Sequence, residues 1–351
     1  MKMMFVYWAF ENQGSGIVIQ GYTEAAKSLG HEVAVYGRRN SKIPLNYSLD
    51  LRSADAVIFI FEWTTMIQYG DQLDLLRLVG KVPRQRRIIL DGDGNYNHVI
   101  SVRDDHNHRD AAAARRWVDM CDSLSDKICQ PTFHPLRSNV RPFLFYAYSP
   151  EWEVPLDFSA KEYGMVYVGQ SKFRWQPMKR VLQVIEPIRQ VIGRIGLVGH
   201  GWDALPWWAV PMQVEDSYFT DQTYLRKFDV SFIPPVPFEQ VIRWMSKAVI
   251  NPVLLRPTFS EMRLVTPRVF ETPAANTIPL LTLDRAYVKE IYGEPALELV
   301  LRDDNSPEEQ VLDMIRRPER YAQNVKALRR HLAVKHSYRA RVQELIEIVK
   351  S

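Results

Sequence analysis

Apolar runs closed by glycine and polar clusters alternate with stretches of helical period along most of the chain. The run from Met3 to Ala9 is followed by Gly14-Ser15-Gly16, a helical pattern from Ile17 to Leu29 and a second apolar run, Val33 to Tyr36. Strand, glycine loop, helix, strand is the order that opens a parallel Rossmann-like sheet. Strands at Ala56–Phe61 and Arg87–Leu90 with an amphipathic helix over Gln72–Val79 continue it. After a proline-punctuated aromatic stretch, Pro142 to Pro155, the alternation starts again. It predicts a strand at Met165–Val168, a turn at Gly169-Gln170-Ser171, a helix over Pro177–Val191, and strands at Ile195–Val198 and Phe228–Ile233. Helices at Glu239–Ala248 and Pro267–Pro273, a strand at Ile278–Leu283 and closing helices over Pro307–Ile315, Pro318–Val334 and Ser337–Val349 complete it. The expected fold is therefore α/β, with two Rossmann-like domains, 1–155 and 156–335, facing across a cleft and a final helix, 336–351, returning to the first.

Composition narrows the class. Of 351 residues, 46% are hydrophobic and 25% charged, which excludes a disordered or repetitive chain. Lys+Arg 45 against Asp+Glu 41 leaves a net charge of +4, too balanced for a coat over nucleic acid. Two cysteines, Cys121 and Cys129, supply neither a disulfide framework nor a four-thiolate zinc site. The first apolar run turns polar at Glu11 and Asn12, and no run approaches the roughly 20 residues of a membrane span. A cytoplasmic protein is expected.

Three segments carry candidate chemistry. Gly14-Ser15-Gly16 offers backbone amides at a helix start, where an anion or sugar hydroxyl can sit, though the full dinucleotide fingerprint is missing. Asp91-Gly92-Asp93-Gly94 lies beyond a strand, where open α/β sheets bind ligands. In Thr266-Pro267-Arg268-Val269-Phe270-Glu271, a helix starting at Pro267 puts Arg268 and Glu271 on one face. That pair suits a nucleotide diphosphate, guanidinium on phosphate and carboxylate on ribose, but equally an intrahelical ion pair. Asp91-Gly92-Asp93 also reads as a metal-holding D-x-D, and as the start of an EF-hand loop that Val102 breaks at its twelfth position. Asp104 to Asp110 and His98 mix metal-ligand types without a defining spacing. Trp63, Trp202, Trp207 and Trp208 are candidates to stack on a sugar, against the commoner role of a buried indole. The basic runs Lys81 to Arg87 and Arg316 to Arg330 suit an anionic acceptor or membrane, or merely solvent.

The run T-P-R-V-F-E-T-P-A-A-N-T-I-P-L-L-T from Thr266 to Thr282 resembles the donor-site segment of group 1 GT-B glycosyltransferases, in the branch similar to spore-maturation proteins. His336-Ser337-Tyr338-Arg339-Ala340-Arg341 resembles that family's closing segment, so the likeness spans about 165–350. It implies a metal-independent transferase that moves a sugar from a nucleotide-sugar, such as a UDP-sugar, to a hydroxyl acceptor. The resemblance gives Glu271 the donor ribose, with Thr266, Arg268 and Phe270 beside it. It also turns Gly169, Gln170, Arg174 and Lys179 toward the diphosphate, and lets His200, Gly201 and Ile233 frame the nucleotide. A more distant likeness to bacteriophage DNA glucosyltransferases implies that Asp93, ahead of Asp91, is the catalytic base. The turn at Gly14, Ser15 and Gly16 is expected to be an acceptor-side loop. The chain departs from the pattern at Asn276, often glycine, and at Arg263, where retaining members carry a second glutamate. The acceptor is open between a small molecule, a glycan and modified nucleic acid. The rivals are a DNA-modifying or DNA-binding protein and a non-catalytic sugar-nucleotide binder.

Overall fold

Ala56–Phe61 is apolar at every position and buried at every position, which only a strand covered on both faces can be. The computed structural model describes residues 1–7, 14–37, 39, 44–61, 77–94, 96, 119, 121–211, 215–304 and 306–351. Trp63, His98, Asp104 to Asp110 and most of the helix expected over Gln72–Val79 lie outside them. The chain divides into two units, Met1–Ala147 with Glu261–Val265 and His336–Ser351, and Tyr148–Ser260 with Thr266–Lys335.

The first unit holds a parallel sheet of β1 (Lys2–Val6), β2 (Glu32–Tyr36), β3 (Tyr47–Ser48), β4 (Ala56–Phe61), β5 (Arg87–Asp91), β6 (Ile128–Gln130) and β7 (Val140–Pro142), in the order β3-β2-β1-β4-β5-β6-β7. Gly14, Ser15 and Gly16 are not a loop, as expected, but the first turn of α1 (Gly14–Ser28). Helix α8 (Tyr338–Lys350) packs on α1, and a Cβ on Gly21 would lie 2.6 Å from the Tyr338 ring, so only glycine admits this approach. Ser337 caps α8 by accepting from the Ala340 amide, and buried Arg341 reaches Glu344 and His336. The closing motif thus seats a helix.

The second unit holds β8 (Tyr163–Val168), β9 (Ile195–Val198), β10 (Val230–Ile233), β11 (Ala248–Val253) and β12 (Ile278–Leu281), all parallel, in the order β10-β9-β8-β11-β12. Its helices include α2 (Trp175–Ile185), α3 (Phe238–Met245), α4 (Pro267–Ala274), α5 (Arg285–Tyr292), α6 (Pro307–Arg316) and α7 (Pro318–Lys335). The helix expected over Pro177–Val191 breaks after Ile185, because Pro187 removes an amide donor and forces a tighter turn. Strand β11 replaces the end of the helix expected to run to Ala248. Its Asn251 and Pro252 hide the strand pattern, yet buried Asn251 donates to the Met245 carbonyl and to Thr277. Buried Arg329 on α7 donates to the carbonyls of Pro273, Ala274 and Ala275, the orphan acceptors at the end of α4, and to Val154. Asn276, the departure from glycine, exchanges two hydrogen bonds with the backbone of Asp157.

Candidate functional site

The order β10-β9-β8-β11-β12 reverses direction between β8 and β11, and the loops leaving those strands form the natural ligand crevice of such a sheet. Gly169 and Gly199, with φ of 159° and 138°, let the loops after β8 and β9 touch: a Cβ on Gly199 would sit 2.5 Å from the Gly169 carbonyl. The Ser171 amide then donates to the His200 carbonyl at 2.9 Å, and Gly201 leaves room for the Ser171 hydroxyl. Gln170 accepts from the Tyr218 hydroxyl at 2.8 Å. Phe173 is held at φ 56°, a conformation disfavoured for a side-chain-bearing residue, with its amide on the Ser217 carbonyl.

This loop delivers Arg174. The residue is half-buried, donates to the Lys172 carbonyl at 3.0 Å, and leaves its Nε buried without a partner. Burial lowers its pKa, and the positive charges of Arg256 and Arg268 push the same way. Arg256, just beyond β11, lies over the rings of Phe259 and Phe173 at 4.7 and 5.8 Å, and its Nε is likewise buried and unpartnered. Arg268 donates through Nε to the carbonyl of Val168, the last residue of β8, at 2.6 Å, and pairs through Nη1 with Glu271 Oε2. The intrahelical pair suggested by spacing therefore forms, while the other Glu271 oxygen has no partner among the described residues. Thr266 precedes α4 without using its hydroxyl as a cap. Three guanidiniums around one crevice, one of them paired with Glu271, is an arrangement that a bound anion stabilises.

Other expected donor residues are placed differently. Phe270 is wholly buried and anchors α4 in the core, so its side chain cannot meet a ligand. Lys179 lies 5.7 Å over the Tyr224 ring, and Arg180 is exposed on α2. His200 stands edge-on to Trp208 at 4.6 Å, with its pKa lowered by burial. Ile233 ends β10 and accepts from the Gly199 amide. Trp202 is a buried indole bonded to the Gly169 carbonyl at 2.7 Å. The run Lys81 to Arg87 is not a free basic face either: Arg84 grips Asp126, while Arg86 and Arg87 donate to backbone carbonyls.

At the end of β5, Asp91 is buried and accepts from the Tyr96 amide at 2.7 Å and Gln130 at 2.8 Å. It pins the turn, the structural role open to it from the sequence. Asp93 is half-buried in that turn. Gly94, at φ 71°, packs against Met262 and Leu264, and Val265 donates to the Pro131 carbonyl. Among the described residues no three His, Cys, Asp or Glu side chains gather as metal ligands, and no helix is long and apolar enough to cross a membrane.

A glycosyl transferase-like family model matches residues 179–347. No curated protein sequence matches the chain significantly. Among solved structures, T4 phage BGT in complex with its UDP-glucose substrate superposes with TM-score 0.62 at 13% identity, covering 99% of both chains. An α-glucosyltransferase in complex with UDP and a 13-mer DNA gives TM-score 0.65 at 12% identity, over 100% of this chain and 99% of that one. The fold is that of a GT-B glycosyltransferase. Within this GT-B fold, the residue that reasoning from sequence missed is Arg256. Its signal was available, an arginine directly after the apolar run Val253-Leu254-Leu255, once that run is read as leaving a strand. Another neighbour, T4 phage BGT with UDP and Mn2+, matches at TM-score 0.58 and 11% identity over 100% of both chains.

Proposed function

We propose that this GT-B protein transfers a sugar from a UDP-sugar to a hydroxyl acceptor. The observation that carries the reading is the group Arg174, Arg256 and Arg268 at the reversal point of the second sheet. Two of these guanidiniums keep a buried, unpartnered Nε, and a diphosphate supplies the acceptors they lack. Glu271, held by Arg268 through one oxygen, has the other for a ribose hydroxyl. The UDP-glucose and UDP bound by the structural neighbours support uridine as the base.

In the reaction, the acceptor oxygen attacks the anomeric carbon and the bond from that carbon to the β-phosphate oxygen breaks. Negative charge grows on the departing diphosphate, and fixed arginines stabilise it most when water is excluded. The acceptor hydroxyl proton passes to a carboxylate, for which Asp93 is the candidate because Asp91 is occupied inside the turn. A thermal-shift series with UDP-, GDP-, dTDP- and ADP-glucose tests the donor. UDP-glucose is expected to raise the melting temperature most. A series in which none of the four raises it contradicts a nucleotide-sugar donor.

A further inference from the structure

The loop between β9 and β10 carries an apolar surface that the donor site does not use. Trp207 is 82% exposed, and Leu205 and Val210 in the same loop are exposed too, as is Phe219 further along it. These side chains stand on a built base: Trp202, Pro206 and Ala209 beneath them are buried, and the Ala209 amide donates to the Pro206 carbonyl. Trp208 stands edge-on to both His200 and Trp207, and Gln222 ties the far end of the loop back to the Trp202 carbonyl at 2.6 Å. Apolar surface held outward by a rigid base marks an interaction site.

Charge selects the partner. From Gly199 to Asp229 the loop contains Asp203, Glu215, Asp216, Asp221 and Asp229 against Arg226 and Lys227, and Lys227 is paired with Glu186. Asp203, Glu215 and Asp216 are exposed. Nucleic acid and anionic lipid both demand cations, so this surface repels them. A neutral glycan fits: the C–H face of a sugar ring lies on the electron-rich face of an indole, and its hydroxyls donate to carboxylates.

We propose that the Leu205 to Val210 loop is a platform for a neutral glycan acceptor, with Trp207 stacking on a sugar ring. The proposal rests on the glycosyltransferase reading above and gives its acceptor a chemical class. A glycan array, a short duplex DNA and phosphatidylglycerol vesicles are the probes, applied to the wild-type chain, Trp207→Ala and Trp207→Phe. Wild-type protein is expected to retain neutral glycans, Trp207→Ala to weaken that binding by about tenfold or more, and Trp207→Phe to restore much of it. UDP affinity is expected to stay within about twofold in both variants. The platform is overturned if no neutral glycan is retained, or if Trp207→Ala binds glycans like the wild type. It is also overturned if that variant instead loses UDP, DNA or vesicle binding. UDP binding by the wild type, measured separately, reports on the donor site alone.

Discussion

The two units are built on the same plan and carry opposite chemistry. Both sheets are parallel and run outward from a first strand in two directions, β2 and β4 flanking β1 as β9 and β11 flank β8. In the second unit the loops at the reversal point deliver Arg174 and Arg256, and α4 adds Arg268. In the first, the end of β5, one strand beyond that sheet's own reversal between β1 and β4, delivers two carboxylates, one buried and one half-buried. A sheet of this kind fixes where a ligand can lie, and the first residues after each strand decide which ligand. Like charges converge only where something of the opposite sign offsets them, so the arginine group is the stronger sign of an anion site.

The sharpest way to break this contrast is to exchange a carboxylate for its amide. Asp93→Asn is expected to lower the turnover of sugar transfer by about 100- to 10,000-fold while leaving UDP affinity intact, measured by transfer assay and calorimetry. Equal losses in both would erase the division of labour. Next comes Arg329→Met, which orphans three carbonyls at the end of α4. It is expected to cost about 3 kcal/mol in urea denaturation and to weaken UDP binding, since α4 carries Arg268 and Glu271. Gly21→Ala strikes the corresponding helix contact in the first unit. It is expected to cost about 1–3 kcal/mol by forcing α1 and α8 apart, with UDP affinity unchanged.

The smallest effect concerns Lys161, which donates to the carbonyls of Ser246 and Asn276 and whose pKa burial lowers to about 8. Its folded value lies below its unfolded value near 10.4, so between these the unfolded chain binds more protons and stability rises with pH. Lys161→Met is expected to flatten that rise in denaturation curves taken between about pH 8 and 10.

Strand length and composition, in both units, decide what the sequence made legible. Strands of continuous apolar residues, such as Ile195–Val198, are found where the pattern puts them. Strands of two or three residues, and β11 with its internal Asn251 and Pro252, are held by neighbours and carry little local signal. Missing β11 hid Arg256, because no strand end was there to present it. Phe270 sits between Arg268 and Glu271, yet its own direction on α4 is inward, which spacing from Glu271 alone does not show. Among the tryptophans, the buried and exposed ones adjoin in one loop, so only packing separates Trp202 from Trp207. Cys129 is buried with its thiol pushed up to about 12, which composition alone does not show.

If the second unit grips a diphosphate through Arg174, Arg256 and Arg268, removing one guanidinium weakens that grip. Calorimetric titration of UDP and of uridine into the wild type and Arg256→Ala tests it most directly. The expected result is UDP binding in the wild type that falls by about 10- to 100-fold in the variant, with the weaker binding of uridine unchanged. Equal UDP affinity in the two proteins would contradict it.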